Sequence, residues 1–294
     1  MLWAIFTLIA AAAQTARNAM QRELTRTLGT VGATHVRFLF GFPFALVFLA
    51  GVMIATGQGL PSPPLAFWPW VLAGALTQIV ATATMLAVMG ERSFVVAYAY
   101  IKTEPVHVAL YGLIFLSDRI TLVSGIAILI ATAGVVVMSL KPGAGELASL
   151  RSTVIGIFSG ALFGMSAIGY RGAILSLQHP DFVLAATFTV SAGLVIQAAL
   201  LSLYLALRDP GVLRAIMKAW RPSLFAGFMG AFASEFWFLA FAIATAANVR
   251  TLALVEVLFA QGVTRFVFKQ PTTLREGAGI VLVVIGVALL VWAY

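Results

Sequence analysis

The chain is a succession of long apolar runs separated by short polar breaks. The runs are continuously apolar, which favours membrane-spanning helices over the alternating strands of a barrel. One span needs about 20 residues, so ten spans occupy about 200 of them. The ten predicted spans are residues 2–18, 32–56, 67–89, 93–116, 121–140, 152–175, 182–207, 222–245, 246–268 and 275–293, with the boundary between the eighth and ninth poorly marked.

Composition excludes a water-soluble protein. Charged residues make up 10% of the chain and hydrophobic residues 62%, whereas soluble domains carry about 25% Asp, Glu, Lys and Arg. The net charge of +8 does not indicate nucleic acid, because the basic residues punctuate apolar runs without forming a patch. The predicted surroundings are therefore a lipid bilayer. With no cysteine there is no thiolate metal site, and we expect neither a metal nor a cofactor.

The basic residues predict the orientation of the chain. Of the 18 Lys and Arg, three lie on the side reached after even-numbered spans: Arg119, Arg171 and Arg250. Lys102 lies inside a span, and 14 lie on the other side: Arg17, Arg22, Arg26, Arg37, Arg92, Lys141, Arg151, Arg208, Arg214, Lys218, Arg221, Arg265, Lys269 and Arg275. Because basic loops stay in the cytoplasm, both termini are predicted outside it, in a bacterial-type inner membrane.

An internal repeat emerges at an offset of 152 residues. The matching pairs are Glu104 with Glu256, Gly125 with Gly277, Ile128 with Ile280, and Gly134 with Gly286. Two halves of five spans, residues 1–141 and 152–294, are therefore predicted, with residues 142–151 as linker. Since five is odd, the second half enters the membrane in the opposite sense. The predicted fold is an all-α integral membrane protein of ten helices in an inverted repeat, with a site near the midplane.

The fourth and fifth spans carry a set of family motifs. These are Glu104-Pro105-Val106, the turn Leu116-Ser117-Asp118-Arg119-Ile120-Thr121, and the glycines Gly125 and Gly134. With these and Arg37 in the second span, the chain resembles the drug/metabolite transporter superfamily, specifically its ten-helix branch with two EamA-type halves. The resemblance implies export of amino acids or related metabolites.

The sequence departs from this family pattern in two places. Gln270 stands in the second half where the first half has Asp118, so the turn motif is degraded there. The first span carries Gln14 but no acidic residue, whereas the four-helix branch of the superfamily uses a membrane glutamate in that span. The proton coupling of that branch is therefore not implied here.

Four ionisable residues lie deep in apolar spans: Lys102, Glu104, Glu235 and Glu256. Each costs several kcal/mol there unless it is paired or hydrated, so each is a candidate substrate-binding residue. Mutual pairing for structural reasons is the alternative. Three acids against one base leave a surplus of acid, which a cationic group of the substrate, protons or water would have to meet.

The fourth span contains a polar stripe. Tyr100, Glu104, His107 and Tyr111 share one helical face that is polar enough to line a cavity, although His107 also suits a packed, hydrogen-bonded position and Tyr111 an interfacial one. Tyr98, which lies towards another face with Lys102, is a further candidate contact for substrate.

Proline and glycine residues predict special backbone positions in two spans. Pro105 removes the backbone hydrogen bond to Ile101, so a kink and a candidate hinge are expected there. In the sixth span, Gly156, Gly160 and Gly164 are spaced for close packing against another helix.

Two further residues complete the candidate site. Trp237 lies two residues after Glu235. Its ring either forms an aromatic wall for substrate or is part of the helix packing. Gln78 in the third span is the uncharged polar residue best suited to a cavity. Together the candidates predict a site lined by spans three, four, eight and nine.

The motifs of enzymes are missing from the sequence: there is no HExxH, no P-loop and no GxSxG. We therefore expect a secondary transporter that exports small molecules, with zwitterionic amino acids favoured. Two alternatives stay open at this stage. One is efflux of lipophilic cations, and the other is a membrane scaffold or receptor without a transport cycle. The sequence does not separate a monomer from a homodimer.

Overall fold

Helices make up nearly all of the chain that our computed structural model describes, namely residues 1–88, 99–139, 150–259, 261 and 273–294. Eleven helices are found there, joined by short turns and one 3-10 turn at Ala253–Val255. The helices are α1 (Leu2–Leu39), α2 (Phe42–Thr56), α3 (Phe67–Val88), α4 (Glu104–Phe115), α5 (Leu122–Ser139), α6 (Leu150–Ser176), α7 (Phe182–Arg208), α8 (Pro210–Lys218), α9 (Trp220–Ile243), α10 (Ala246–Leu252) and α11 (Leu274–Trp292).

Several of these helices are long and apolar enough to cross a membrane, which confirms an all-α membrane protein. Within the described residues, six stretches meet both conditions: Met20–Thr56, Phe67–Ala87, Thr153–Ser176, Phe182–Arg208, Trp220–Ile243 and Leu274–Trp292. Leu122–Met138 is a shorter apolar helix. The predicted fourth and ninth spans fall partly outside the described residues, as does most of the predicted linker. The count of ten spans remains a prediction.

A glycine separates the first two predicted spans. Helix α1 runs from Leu2 to Leu39 with one interruption, at Gly29, where φ is 67° and ψ is 177°. Only glycine adopts this conformation without strain. A second break, at Phe40 and Gly41, lies within the second predicted span. Helix α2 begins after it, with Pro43 in its first turn.

The poorly marked boundary between spans eight and nine is a clear break in the structure. Ala244 is extended, with φ of −142° and ψ of 162°, and so ends α9. Thr245 then caps α10, because its hydroxyl accepts a hydrogen bond from the backbone N–H of Asn248 at 3.3 Å.

The fourth and ninth spans are both broken near their charged residues. In the fourth, helical residues end at Ile101, a turn follows at Lys102 and Thr103, and α4 starts at Glu104 with Pro105 in its first turn. The predicted interruption at the proline is thus found a few residues earlier in the chain. In the ninth, α10 gives way to the 3-10 turn, after which the helix resumes at Glu256.

Helix packing is most extensive in three pairs: α1 with α9, α3 with α6, and α5 with α11. Further pairs are α2 with α7 and α4 with α10. Glycines allow the closest approaches. A Cβ on Gly160 would lie 3.0 Å from the carbonyl oxygen of Ile101, and one on Gly164 would lie 3.2 Å from Cβ of His107. The predicted packing role is confirmed for Gly160 and Gly164, and their partner is the broken fourth span.

The polarity of the molecule is inverted relative to a soluble protein. Large apolar side chains such as Val47, Ile54, Leu113 and Val284 are exposed and face the lipid. Buried positions, in contrast, include several charged residues: Arg17, Arg37, Lys102, Glu235, Arg250 and Glu256. Arg17, Arg37 and Arg250, which were counted as topology signals, are therefore part of the buried interior. They lie at the ends of apolar runs, where a buried charge and a loop charge have the same sequence pattern.

Candidate functional site

The buried charges converge on a small cavity between the broken helices. Its volume is about 30 Å³, which leaves room for roughly two water molecules. It is lined by Gln14, Arg17, Asn18, Arg37, Gln78, Met85, Ile101, Lys102, Glu104, Phe163, Trp237 and Arg250. The first, second and sixth predicted spans thus contribute to the lining, in addition to the expected third, fourth, eighth and ninth.

Two ion pairs join the fourth span to the ninth. Lys102 forms an ion pair with Glu256, and both side chains are almost completely buried. Arg250 pairs with Glu104, with Nε of the arginine 3.1 Å from Oε1 of the glutamate. Each pair takes its cation from one span and its acid from the other. The alternative of mutual pairing is therefore what the structure shows for these residues, with Arg250 as a partner that sequence reasoning missed.

Arg250 is held by aromatic rings as well as by charge. Its guanidinium lies 4.4 Å from the ring centroid of Trp237 and 5.3 Å from that of Phe241, which is favourable cation–π geometry. The indole N–H of Trp237 donates to Gln14 Oε1 at 3.2 Å, and the amide of Gln14 donates to Glu256 at 3.4 Å. Trp237 therefore links the two ion pairs through Gln14.

Among the described residues, the lining of the cavity contains more cations than acids. Arg17 and Arg37 line it together with Lys102 and Arg250, while Glu104 is the one carboxylate in the lining. Arg17 donates to Asn18 at 2.8 Å, and Arg37 approaches the Thr82 hydroxyl at 3.5 Å. The predicted surplus of acid is therefore wrong for this cavity. It arose because only charges in the middle of apolar runs were counted.

Gln78 belongs to a polar network at the wall of the cavity. Its side-chain oxygen accepts hydrogen bonds from the amide of Gln197 at 2.9 Å and from the hydroxyl of Tyr170 at 3.4 Å. The amide of Gln197 also donates to the backbone carbonyl of Ala75. These bonds fix the orientation of Gln78, which is one of the expected cavity residues.

The structure brings together only part of the predicted site. Lys102, Glu104, Gln78 and Trp237 line the cavity, and Glu256 borders it through its contacts with Lys102 and Gln14. Three other predicted residues lie outside the lining. Tyr98 lies outside the described residues.

The three residues outside the lining have contacts of their own. His107 contacts the carbonyl oxygen of Thr103 through Nδ1 at 3.2 Å, which fits the packed alternative for this side chain. Tyr100 is half-buried, and its carbonyl oxygen accepts from the hydroxyl of Thr103 at 2.7 Å. Glu235 is buried and contacts the hydroxyl of Thr187 on α7.

A second buried cluster connects the two halves where α9 ends. Arg171 forms an ion pair with Asp118 at 3.3 Å, and its guanidinium also donates to the backbone carbonyls of Phe241 and Ala244. Phe241 is in the last turn of α9 and Ala244 follows its last residue, where carbonyls have no partner within the helix. Arg171 therefore provides hydrogen-bond donors for the free carbonyl groups at the end of α9. Its ion pair with Asp118 connects this helix end to the turn after the fourth span.

The described residues contain no cluster of three or more His, Cys, Asp and Glu side chains that could hold a metal ion. The chemistry of the site consists instead of charge and hydrogen bonding. Its polar groups can bind a small charged solute, and its apolar walls, formed by Met85, Ile101 and Phe163, can accept a hydrophobic part of that solute.

A multi-pass helical membrane protein whose buried charges converge on a central cavity has the construction of a solute transporter. Residues 1–140 match the EamA-like transporter family, so this part of the chain is similar to transporters of that family. The match is to a family of transporters and not of enzymes.

Comparison with solved structures extends the fold beyond residue 140. One of the 27 matching chains, a protein of known crystal structure, is 17% identical. It superposes with a TM-score of 0.65 over 98% of this chain and 99% of its own. The likeness therefore covers the second half of the chain and shows a shared fold. A comparison with curated proteins gave no match.

Proposed function

We propose that the protein is a secondary transporter that exports amino acids, chiefly neutral and aromatic ones, across the cell membrane by alternating access. The observation that carries this proposal is the pair of ion bridges between the fourth and ninth spans, Lys102 with Glu256 and Arg250 with Glu104. The cavity beside them is bordered by both charge signs and by the ring of Trp237.

The proposed mechanism needs two halves related by an inverted repeat, residues 1–141 and 152–294. Such a repeat exchanges the first span with the sixth and the third with the eighth. Helices α1 and α9 contain the first and eighth spans, and α6 and α3 contain the sixth and third. The repeat therefore makes the packing of α1 against α9 equivalent to the packing of α6 against α3, and both contacts are observed. The second–seventh, fourth–ninth and fifth–tenth pairs each correspond to themselves, and all three are in contact. This pattern supports the repeat found at the offset of 152 residues.

A zwitterion matches the chemistry of a broken cross-half ion pair. When the fourth and ninth spans separate, each pair leaves one cation and one acid without a partner, at a cost of several kcal/mol per ion. The carboxylate of an amino acid can bind Lys102 or Arg250, and its ammonium can bind Glu104 or Glu256. Both kinds of unpaired ion are then satisfied by one solute. A solute with a single charge would leave part of this cost uncompensated.

The size of the cavity indicates a closed state of the transport cycle. A volume of about 30 Å³ is far below the roughly 300 Å³ at the lower end of ligand pockets. An amino acid can enter only after the spans around Lys102 and Arg250 move apart. Pro105, beside the turn at Lys102 and Thr103, is the proposed hinge for this movement.

The charge balance of the site favours zwitterions over lipophilic cations. Within the part of the chain that the structure describes, the four cations of the lining outnumber Glu104 and Glu256, so a solute with only positive charge would be repelled on entry. A solute with an anionic group would instead be attracted.

The orientation of the chain remains a proposal, with both termini outside the cytoplasm. Arg17, Arg37 and Arg250 are buried, and Arg171 is held in an ion pair. Without these four, 12 basic residues remain on the predicted cytoplasmic side and Arg119 on the other. The bias is therefore stronger than in the original count, which supports the orientation. A cytoplasm-dependent reporter fused at Tyr294 should be inactive, and an active fusion would reverse the assignment.

Counterflow in proteoliposomes tests the proposed function. Vesicles loaded with unlabelled tryptophan, phenylalanine or leucine should accumulate the labelled amino acid, and the variant K102M should lose this exchange. Efflux of a lipophilic phosphonium cation serves as the competing measurement. The proposal fails if properly folded, reconstituted protein exchanges no amino acid, and phosphonium efflux in its place would identify a cation exporter.

A further inference from the structure

Glu235 lies on the opposite face of α9 from the cavity. Trp237, two residues further along, lines the cavity, and two residues turn an α-helix by about 200°. Glu235 therefore faces α7, where its carboxyl group contacts the hydroxyl of Thr187. Its side chain is buried, so this contact lies between two packed membrane helices. The carboxyl group is separate from the two ion pairs of the cavity.

The number of hydrogens at Thr187 indicates the protonation state of Glu235. The hydroxyl oxygen of Thr187 lies within hydrogen-bonding distance of Glu235 Oε1 and 2.8 Å from the backbone carbonyl oxygen of Val183. A hydroxyl has one hydrogen to donate, and a carbonyl oxygen can only accept. When Thr187 gives its hydrogen to Val183, as the 2.8 Å contact favours, the contact with Glu235 is a hydrogen bond only if the carboxyl group of Glu235 donates. This arrangement requires a protonated, neutral Glu235.

No counter-ion among the described residues balances a charge on Glu235. The other oxygen of the carboxyl group, Oε2, has no hydrogen-bond partner there, and no described Lys, Arg or His forms an ion pair with it. Glu104 and Glu256 differ, because each has a cation within the same pair of spans. An ionised carboxylate without such a partner is strongly disfavoured inside a membrane protein.

The charged and titratable residues of the helices packed against α9 are occupied elsewhere. Helix α2 carries none. On α1, α6 and α10 the buried or nearly buried residues are Arg17, Arg37 and Arg250 at the cavity, His35 at Ser202, Tyr170 at Gln78 and Arg171 at Asp118. The remaining charged residues of α1 and α6 are exposed, namely Arg22, Arg151 and the ion pair of Glu23 with Arg26. Those that α7 and α8 carry are exposed.

We infer that Glu235 is a proton-binding site, neutral in this closed state, that takes up and releases a proton as α9 moves against α7. Release leaves a carboxylate between two packed helices, so it requires the interface at Thr187 to open to water. Helix α9 also carries Trp237, which contacts Arg250 and Gln14 in the cavity. Proton release and cavity opening therefore act on one rigid element. The role in coupling rests on the proposed transport function, whereas the proton site itself does not.

Infrared spectroscopy of the purified protein tests the proton site without any substrate. At neutral pH the protein should show the C=O stretching band of a protonated carboxyl group, and E235Q should lose it. E23Q is the matched control, because Glu23 is an exposed, ion-paired glutamate on α1, and it should keep the band. Absence of the band from the unaltered protein, or its persistence in E235Q, would overturn the inference.

A second variant keeps the test valid if E235Q does not fold. T187V removes the hydrogen-bond partner but retains Glu235, so the band should persist at a higher frequency. T189V is its control, since Thr189 is a buried threonine on the same helix that donates to the carbonyl of Ala185 at 2.7 Å. An identical band position in T187V and T189V would contradict the assignment to Glu235.

Transport measurements test the coupling separately. A pH gradient across proteoliposomes should drive net accumulation of amino acid by the unaltered protein, whereas E235Q should lose this accumulation and retain exchange at equal pH. Gradient-driven accumulation by E235Q would overturn the coupling role. If the unaltered protein exchanges no amino acid while the infrared band depends on Glu235, the proposed substrate fails and the proton site stands.

Discussion

Two of the regions in which the predicted halves of the chain meet have opposite character. At the fourth and ninth spans, the contact consists of four charged residues in two ion pairs beside a cavity. At α5 and α11, the contact depends on glycine. A Cβ added at Gly279 would lie 2.6 Å from the carbonyl oxygen of Gly134, and one at Gly286 would lie 2.5 Å from the backbone nitrogen of Ala131.

This difference indicates which interface opens during transport. Ion pairs can exchange their partners for groups of a solute, so their separation is reversible when a suitable solute enters. A close-packed seam between backbones has no such substitute, because opening it would leave voids without compensating contacts. We therefore expect the seam of α5 and α11 to remain closed as a pivot while the region around Lys102 and Arg250 opens.

The largest effect is expected from K102M, which removes one ion of a buried pair. Glu256 would be left without its cation, at a cost of about 3–5 kcal/mol in the free energy of unfolding. Amino acid exchange should also be lost. Thermal unfolding in detergent and counterflow in proteoliposomes measure the two effects.

The double variant K102M/E256Q separates stability from transport. Without either ion there is no uncompensated charge, so stability should return to near that of the unaltered protein. Exchange should stay absent because the proposed carboxylate site is gone. Recovery of full exchange in the double variant would show that this ion pair has no role in binding.

The seam is tested by G279A and its neighbour G277A on the same helix. At Gly279 the new methyl group would meet the backbone of Gly134 and Met138, so destabilisation of about 1–3 kcal/mol is expected. At Gly277 there is open space, and alanine should be neutral or slightly stabilising. Equal melting temperatures of the two variants would show that the seam is not closely packed.

A smaller effect is expected from R250K, which keeps the charge beside Glu104 but loses the planar guanidinium stacked on Trp237. The lost cation–π contact corresponds to about 1–2 kcal/mol. In counterflow, the KM for amino acid should rise more than kcat falls, because the variant alters binding geometry and not the charge of the site. An unchanged KM would contradict a role of Arg250 in binding.

The smallest effect is expected from W237F, which retains an aromatic ring and removes the N–H that donates to Gln14. The loss of this hydrogen bond should cost about 1 kcal/mol. W292F is the control, since Trp292 is 77% exposed at the end of α11, and its melting temperature should not change. If both substitutions have the same effect, the link between Trp237 and Gln14 contributes nothing measurable.

Sequence patterns were sufficient for the helical membrane fold and for part of the site. Lys102, Glu104 and Glu256 were found because a charge inside a long apolar run has few explanations other than pairing or function. Arg250, Arg17 and Arg37 were missed because a basic residue at the end of a run also has the ordinary role of a loop charge. A signal for Arg250 was present, since a buried glutamate in the opposite half required a cation.

The sequence by itself determined that the protein lies in lipid, that it is helical, and that Glu104 and Glu256 occupy matching positions at the offset of 152 residues. These follow from local properties, namely the hydrophobicity of each run and the positions of repeated residues. Only the tertiary structure decided which charged residues form ion pairs. It also decided that Glu235 faces away from the cavity and that Arg250 lines the cavity as the partner of Glu104. Ion pairs across 150 residues depend on how helices pack, and the pattern within one helix carries no information about its neighbour.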